Sequence, residues 1–495
     1  MRASGILMHI SSLPSEYGIG TMGKEAYEFA DFLVAAKQKY WQILPIGPTG
    51  CGDSPYQSFS VHAGNPYFID FEMLSDEGLL EKADFCDIDW GNDSEKTDYG
   101  KIYSNRFKVL KKAYNRFTTG DRTLFERFCI ENEKWISNYA LFMSIKEFND
   151  GKCWLEWDDG LKKRNPHDLW LFKEAHAEDV EFWEFVQFKF FEQWSRLKKY
   201  VNENGIEIIG DIPIYAAIDS AEVWVHPDLF DLDEDLEPKT VAGCPPDDFS
   251  KTGQLWGNPI YNWDRHAEVG YDWWINRMKT CMKLYDIVRI DHFRGFESYY
   301  TIPYGDKTAE NGKWNKGPGI EFFRFLEEKL GNLNVIAEDL GFLTPEVLNM
   351  LAESGFPGMK VLEFAFDPDS ESSYLPYKYD KNCVVYIGTH DNAPIKAWLK
   401  ESEKPMIDFC KKYLGFSGKS VSGFIRAMIR EAFASTGDTV IIQMQDFLEL
   451  GAESRMNIPS TPSGNWQWRM KKGACSQKLA ERIADITRTY GRCER

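Results

Sequence analysis

Eight short apolar runs, each bounded by Gly, Pro or polar residues, recur along the chain and are separated by helical patterns. Short continuous apolar runs are typical of strands that are buried on both faces of a parallel sheet. Alternation of strand and helix predicts parallel βαβ units, and a count of eight favours a closed (β/α)8 TIM barrel over an open doubly wound sheet. The fold class predicted is therefore α/β. The predicted strands are Gly5–Ile10, Tyr40–Ile46, Ile206–Tyr215, Asp286–His292, Asn334–Leu340, Met359–Phe366, Val384–Thr389 and Thr439–Gln445.

The predicted helices carry apolar residues at helical spacing between these runs. They include Lys24–Lys37, Trp273–Leu284, Ile320–Leu330, Pro345–Ser354 and Lys419–Ala434. The connection from the second run to the third is too long for one helix and contains further helical, aromatic-rich stretches at Trp135–Phe148 and Val180–Tyr200. We therefore expect residues 70–205 to form a largely helical subdomain that is inserted into the barrel.

A second insertion, residues 219–263, is rich in Pro, Gly and Asp and is expected to form a loop region beside the active site. No Ser/Gly linker, charge block or internal repeat separates these parts, so residues 1–495 are expected to form a single barrel domain. Little more than residues 451–495 follows the eighth run, which predicts that no C-terminal β-sandwich is present.

Net charge and the positions of the cysteines argue against several kinds of partner and site. The formal net charge is −19 over 495 residues, with the acidic residues spread along the chain, which argues against a nucleic-acid partner or an anionic membrane surface. The ten cysteines form no C-x-x-C pair and no Cys/His cluster, so we expect no metal site and reduced thiols. The N-terminal apolar stretch is too short for a signal peptide, and no run is long enough to span a bilayer. A cytoplasmic location is expected.

Three carboxylates end three of the predicted strands. They are Asp291, Glu338 and Asp391. Acids at the carboxyl ends of successive parallel strands are where α/β barrels build their active sites. Each acid alone is equally well explained as the cap of the helix that follows its strand. Three acids in one arrangement instead indicate acid/base and nucleophilic chemistry on a neutral polar substrate, above all a sugar.

The neighbours of these acids suggest separate roles. Cleavage of a glycosidic bond with retention needs an ionised nucleophile and a protonated acid about 5–5.5 Å apart. Arg289 precedes Asp291 by two residues, so both side chains leave the same face of the strand, and the guanidinium is expected to lower the pKa of the carboxyl. Glu338 ends an apolar strand and is the better candidate for a raised pKa. Asp391, with His390 beside it, is placed to bind sugar hydroxyls.

The motifs around these acids resemble those of the 4-α-glucanotransferases, also called amylomaltases or disproportionating enzymes, which are glycoside hydrolase family 77 of the α-amylase clan. The resemblance extends from the first strand nearly to the C-terminus. The matching stretches are Arg289–Gly295, Ile336–Gly341, Gly388–Asn392, Ser54–Ser60, Ala63–Pro66, Pro245–Phe249, Gln254–Pro259, Arg455–Pro459 and Asn465–Trp466.

This resemblance implies a retaining double displacement that transfers a segment of a 1,4-α-D-glucan to the 4-position of an acceptor. Asp291 would be the nucleophile, Glu338 the acid and base, and Asp391 the group that stabilises the transition state. The substrate-binding residues implied are Arg289, His390, Ser54, Tyr56, Asp248, Trp256 and Asn457, of which Asp248 and Trp256 lie on a loop that folds over the cleft. The expected partners are maltooligosaccharides and α-1,4-glucans, in starch, glycogen or maltodextrin metabolism, and no cofactor is implied.

Two other functions use the same features. An α-glucan hydrolase would need the same three acids, with water as the acceptor, and the segment 247–259 together with the missing C-terminal domain favours transfer. A glucan-binding scaffold on a barrel fold would need neither a nucleophile nor an acid. The presence of all three acids together with Arg289 and His390 therefore argues against a scaffold.

Overall fold

The fold is built on two β-sheets of different kinds. A computed structural model describes residues 2–246, 250–369 and 371–493. The strands, in chain order, are β1 Ala3–Leu7, β2 Tyr40–Gln42, β3 Glu207–Pro213, β4 Thr240–Cys244, β5 Gln254–Pro259, β6 Ile287–Asp291, β7 Ser298–Pro303, β8 Lys313–Lys316, β9 Val335–Ala337, β10 Gly358–Val361, β11 Cys383–Tyr386 and β12 Thr439–Gln443.

Eight strands form a parallel sheet in the order β10-β11-β12-β1-β2-β3-β6-β9. Each of these strands overlaps one of the eight runs predicted from sequence, so the eight-stranded α/β barrel is confirmed. The strands are buried along most of their length because helices cover the outside of the sheet and side chains fill the inside. All eight carboxyl ends therefore meet at one end of the barrel.

The barrel is nearly closed between its first and last strands in sheet order, β10 and β9. The backbone N–H of Ala337 donates to the carbonyl of Pro357 at 2.9 Å. The carboxylate of Asp339, which is buried, accepts from the N–H of Met359 at 2.5 Å. Asp339 thus acts at this seam and takes no part in the group formed by Asp291, Glu338 and Asp391.

The five helices predicted above are present, with bounds that differ by at most two residues at either end. The α-helices of the described residues are, in chain order, α1 Lys24–Ala35, α2 Phe71–Asp76, α3 Tyr99–Phe117, α4 Thr123–Glu131, α5 Ile136–Phe148, α6 Asp159–Lys162, α7 Pro166–Ala175, α8 Ala177–Glu203, α9 Ala221–Val225, α10 Trp263–Glu268, α11 Asp272–Leu284, α12 Ile320–Leu330, α13 Pro345–Ser354, α14 Ile395–Glu401, α15 Lys404–Tyr413, α16 Val421–Ala434, α17 Met444–Phe447 and α18 Gln477–Thr489. Among the described residues, none of these helices combines the length and the apolarity that crossing a membrane requires.

The chain between β2 and β3 carries helices α2 to α8, and α8 packs on α3, α4, α5 and β3. Two glutamines of α8 hold the chain segment 64–70, which lies between β2 and α2. Gln187 accepts from the N–H of Gly64 at 2.8 Å, and Gln193 accepts from the N–H of Asp70 at 2.7 Å. The division into a barrel, a helical subdomain at 70–205 and a loop region at 219–263 remains a prediction.

The second sheet was not anticipated from the sequence. It is antiparallel in the order β5-β4-β7-β8, so strands from the 219–263 segment pair with strands that follow β6. Strand β8 has the sequence Lys-Trp-Asn-Lys and is mostly exposed, while β5 is only partly buried. Strands with this little burial need no apolar run, so they leave no hydrophobic pattern to read.

Candidate active site

The three acids singled out in the sequence lie at the carboxyl end of the barrel. Asp291 is the last residue of β6, Glu338 follows the last residue of β9, and Asp391 lies in the loop that follows β11. Strands β6 and β9 are hydrogen-bonded neighbours in register, with Ile290 opposite Ala337. Asp291 and Glu338 therefore leave adjacent strand ends.

Arg289 links Asp291 to a deeper carboxylate. Its Nη2 lies 3.1 Å from Oδ1 of Asp291, and its Nη1 lies 2.7 and 2.6 Å from the two carboxylate oxygens of Asp211. The alternation of side chains along β6 puts Arg289 and Asp291 on one face, as expected from their spacing. The pair of Arg289 and Asp211 is fully desolvated, since the two side chains are 4% and 0% exposed.

The pKa of Asp291 is raised to about 6, because burial outweighs the neighbouring guanidinium of Arg289, which lowers it. The carboxylates of Asp211 and Asp391 raise it further. The lowering by Arg289 expected from the sequence is therefore present, but the expected net lowering is wrong. Asp291 is nonetheless ionised in most molecules at neutral pH.

Glu338 has the more strongly shifted carboxyl. Burial and the nearby Asp291 raise its pKa to about 8, against Arg289 and two backbone N–H groups that lower it. Those N–H groups belong to His292, 2.7 Å from Oε2, and Leu340, 2.8 Å from Oε1. Two adjacent carboxyls with separated pKa values provide a base and an acid at the same pH.

His390 and Tyr56 form a stacked pair that is linked to the carboxylate of Asp211. Their rings stack with centroids 5.3 Å apart, and the Tyr56 hydroxyl lies 2.9 Å from Nε2 of His390 and donates to Asp211 at 2.8 Å. Burial and the negative charge of Asp211 raise the pKa of Tyr56 well above its usual value, so the hydroxyl keeps its proton. Because that proton points to Asp211, Nε2 of His390 is the donor toward Tyr56, which defines the imidazole tautomer.

Asp391 is positioned by a distant loop. The side-chain amide of Asn457 donates to its Oδ1 at 2.7 Å, and Arg455 donates to its backbone carbonyl at 2.7 Å. Nε2 of His390 lies 3.5 Å from the same Oδ1. Asn457 therefore belongs to the site, because its side chain holds the carboxylate of Asp391.

The remaining sequence-based candidates are more peripheral. Ser54 shapes the loop that carries Tyr56, since its Oγ accepts from the N–H of Tyr56 at 3.3 Å. Trp256 lies on β5 with its ring edge-on to His292 at 4.7 Å, and its carbonyl accepts from Gln57 at 3.3 Å. Asp248 lies outside the described residues.

Sequence reasoning missed Asp211. It lies in β3 beside β6, directly opposite Arg289 in the strand register, and its carboxylate holds both Arg289 and Tyr56. The signal for it was an acid inside the apolar run Ile206–Tyr215, where a buried charge requires a charged or hydrogen-bonding partner.

Comparison with known proteins shows which family this arrangement represents. The family model described as 4-alpha-glucanotransferase matches residues 8–476. The 4-alpha-glucanotransferase of Clostridium butyricum is 49% identical over 98% of this chain and 100% of its own, and that of Thermus thermophilus is 44% identical over 97% of both chains. The structure of an amylomaltase from Streptococcus agalactiae in complex with acarbose superposes with a TM-score of 0.97, at 44% identity over 100% of both chains. The chain belongs to the 4-alpha-glucanotransferase family.

Proposed function

We propose that this chain transfers a segment of a 1,4-α-D-glucan to the 4-hydroxyl of glucose or another glucan, through a covalent glycosyl-enzyme formed on Asp291. The observation that carries the mechanism is the pair of carboxyls on neighbouring strands, in which Asp291 has a pKa of about 6 and Glu338 a pKa of about 8. At neutral pH this pair supplies one ionised and one protonated group, which is what retaining transfer needs.

In the first step, a carboxylate oxygen of Asp291 attacks the anomeric carbon of the donor, and the bond from that carbon to the glycosidic oxygen breaks. Glu338 gives its proton to the departing oxygen. The attacking oxygen is oriented because Arg289 binds Asp291 through Nη2 while Asp211 holds the same guanidinium from below. Orientation of this kind lowers the entropic part of the barrier.

In the second step, the ionised Glu338 takes the proton of an acceptor hydroxyl, whose oxygen attacks the anomeric carbon and releases Asp291. The carboxylate of Glu338 accepts one backbone N–H bond on each oxygen, which leaves a free lone pair on each for the proton that it gives to the glycosidic oxygen or takes from the acceptor hydroxyl. Asp391, held by Asn457 and close to His390, binds the hydroxyls of the distorted sugar in both steps.

Transfer wins over hydrolysis only when water is kept from the glycosyl-enzyme while the acceptor is positioned. Trp256 is suited to this role, because its ring packs edge-on against His292, the residue next to the nucleophile. The loop after β2 holds Trp256 there through Gln57.

The test is to incubate the purified protein with maltotriose alone and to separate the products by size. We expect glucose together with a ladder of longer maltodextrins. Asp291→Asn should remove the ladder and leave maltotriose binding largely intact, while Asp159→Asn, which changes an exposed acid on α6, should leave the ladder unchanged. Glucose and maltose with nothing longer than maltotriose would mean that water is the acceptor, and an active Asp291→Asn protein would remove Asp291 as the nucleophile.

A further inference from the structure

One buried arginine near the catalytic loops contacts two chain segments that each carry an exposed aromatic side chain. The guanidinium carbon of Arg294 lies 4.0 Å from the ring centroid of Trp314, and Nη1 of the same residue donates to the carbonyl of Phe342. Nη2 donates to Ser298 at 3.1 Å. Arg294 is 5% exposed, whereas Trp314 is 41% and Phe342 75% exposed. We refer to Trp314, Arg294 and Phe342 as the aromatic platform.

The aromatic platform is connected to the catalytic pair by short stretches of chain. Arg294 follows Asp291 by three residues, and Phe342 follows Glu338 by four, which is about 14 Å at full extension. The two stretches are hydrogen-bonded to each other, since the N–H of His292 donates to the Glu338 carboxylate at 2.7 Å and the N–H of Phe293 donates to the Glu338 carbonyl at 3.2 Å.

The aromatic platform lies on the Glu338 side of the site. The residues proposed to bind the donor sugar come from elsewhere in the barrel: Tyr56 from the loop after β2, His390 and Asp391 from the loop after β11, and Asn457 from beyond β12. In the nearly closed barrel, β2 is separated from β9 by β3 and β6, and β11 and β12 lie on the other side of β9, beyond β10. In the proposed reaction Glu338 faces the departing oxygen and then the incoming hydroxyl, so this is the side on which the leaving and acceptor chains bind.

A single exposed aromatic residue is common and needs no explanation. Here, however, a desolvated guanidinium stacks on the ring of Trp314 and also holds the backbone carbonyl of Phe342, so the Trp314 ring and the chain segment that carries Phe342 are kept near the catalytic loops. Aromatic rings present a broad apolar surface that suits the C–H faces of a pyranose ring. A cation is less well matched, since the positive charge of Arg294 already lies against Trp314 and would repel it.

We propose that Trp314 and Phe342, positioned by Arg294, form the binding surface for the acceptor glucan beyond the glucose unit that reacts. This inference rests on the proposed transfer function and assigns the acceptor side of the same site. Trp314 and Phe342 bind substrate in this view, and Arg294 is a positioning residue.

The experiment separates formation of the glycosyl-enzyme from its transfer. The donor is an α-maltotriosyl fluoride that lacks the 4-hydroxyl of its non-reducing glucose, so it cannot serve as its own acceptor. Its fluoride leaves without needing a proton, so release without added acceptor reports donor use alone. Maltose is then added, and its extension is measured by product size. Phe342→Ala and Trp314→Ala should each raise the KM for maltose by about tenfold and the ratio of hydrolysis to transfer similarly. Phe342→Tyr should restore the wild-type values.

The controls make a purely structural effect visible. Both positions are exposed, so the unfolding midpoints should stay close to that of the wild type, and fluoride release without acceptor should change by less than about twofold. Trp170→Ala removes a tryptophan that is 56% exposed on α7, and it should alter neither quantity. An unchanged KM for maltose in both alanine variants would overturn the proposed role of the aromatic platform and leave the transfer function standing. A wild-type protein that releases fluoride but never extends maltose would overturn the transfer function as well.

Discussion

Arg289 binds Asp211 through both carboxylate oxygens, at 2.7 and 2.6 Å, beneath the proposed nucleophile. The two residues lie opposite each other on β6 and β3. A charge pair that is this deeply buried brings little net stability, but removal of one partner leaves the other charge buried and unpaired. The pair therefore couples the position of the nucleophile to the integrity of the barrel.

Asp211→Asn is expected to lower both stability and activity. The free energy of unfolding should fall by about 3–5 kcal/mol, because the guanidinium of Arg289 loses its buried counter-charge. The rate of fluoride release from α-maltotriosyl fluoride should fall as well, since Arg289 and Tyr56 both lose their anchor. Denaturant unfolding and the fluoride assay check this. Asp231→Asn, which breaks the exposed pair with Lys239, should cost no more than about 1 kcal/mol. Equal losses in the two variants would contradict the account.

Glu338→Gln is expected to discriminate between two donors. With maltotriose the rate should fall by about 10²–10⁴-fold, because the departing oxygen receives no proton. With α-maltotriosyl fluoride, formation of the glycosyl-enzyme should be retained, since fluoride needs no proton to leave. Rapid-mixing measurement of the fluoride burst tests this difference. A loss of the same size with both donors would exclude Glu338 as the acid.

The rate should depend on pH as a bell. The reaction needs Asp291 ionised and Glu338 protonated, so kcat/KM should rise as pH passes about 6 and fall as pH passes about 8. Steady-state rates with maltotriose across the pH range test the shape. With α-maltotriosyl fluoride, which needs no proton from Glu338, the alkaline fall should disappear in the wild-type protein. Persistence of that fall would assign it to another group.

Trp256→Ala should shift the products from transfer toward hydrolysis. Loss of the indole uncovers His292 beside the nucleophile and admits water to the glycosyl-enzyme. With maltotriose, we expect the ratio of free glucose and maltose to longer maltodextrins to rise by about tenfold. Product separation over time measures this ratio, with Trp170→Ala as the matched tryptophan control. An unchanged ratio would show that Trp256 has no part in excluding water.

Asn457→Ala should impair catalysis while leaving the fold intact. The lost bond to Asp391 is between a neutral amide and a carboxylate, which is worth about 1.5–3 kcal/mol, so kcat should fall by about ten- to a hundredfold. Asn457→Asp should be worse, because it places a second negative charge beside Asp391. Steady-state kinetics with maltotriose and a thermal unfolding scan separate the two effects. An Asp variant as active as the wild type would contradict the role given to Asn457.

Features set by short-range pattern were predictable from the sequence. The eight buried strands were readable because strands covered on both faces are largely apolar, as Val384–Val385–Tyr386 in β11 illustrates. The common face of Arg289 and Asp291 followed from the two-residue period of a strand, and the contact at 3.1 Å agrees with it. The net pKa of Asp291 did not follow, since burial depends on everything packed around the carboxyl.

The amino-acid sequence alone thus determined the parallel barrel and the end at which its acids gather, because both depend on periodicity within a few residues. Only the tertiary structure decided that Asp211, 78 positions away, holds Arg289, that Asp339 acts at the barrel seam, and that strands around residues 240–316 pair into a second sheet. It also decided that the ring of Trp314 and the backbone carbonyl of Phe342 both contact Arg294. These relations join residues that are distant along the chain, and their partners are chosen by packing and desolvation rather than by any local pattern.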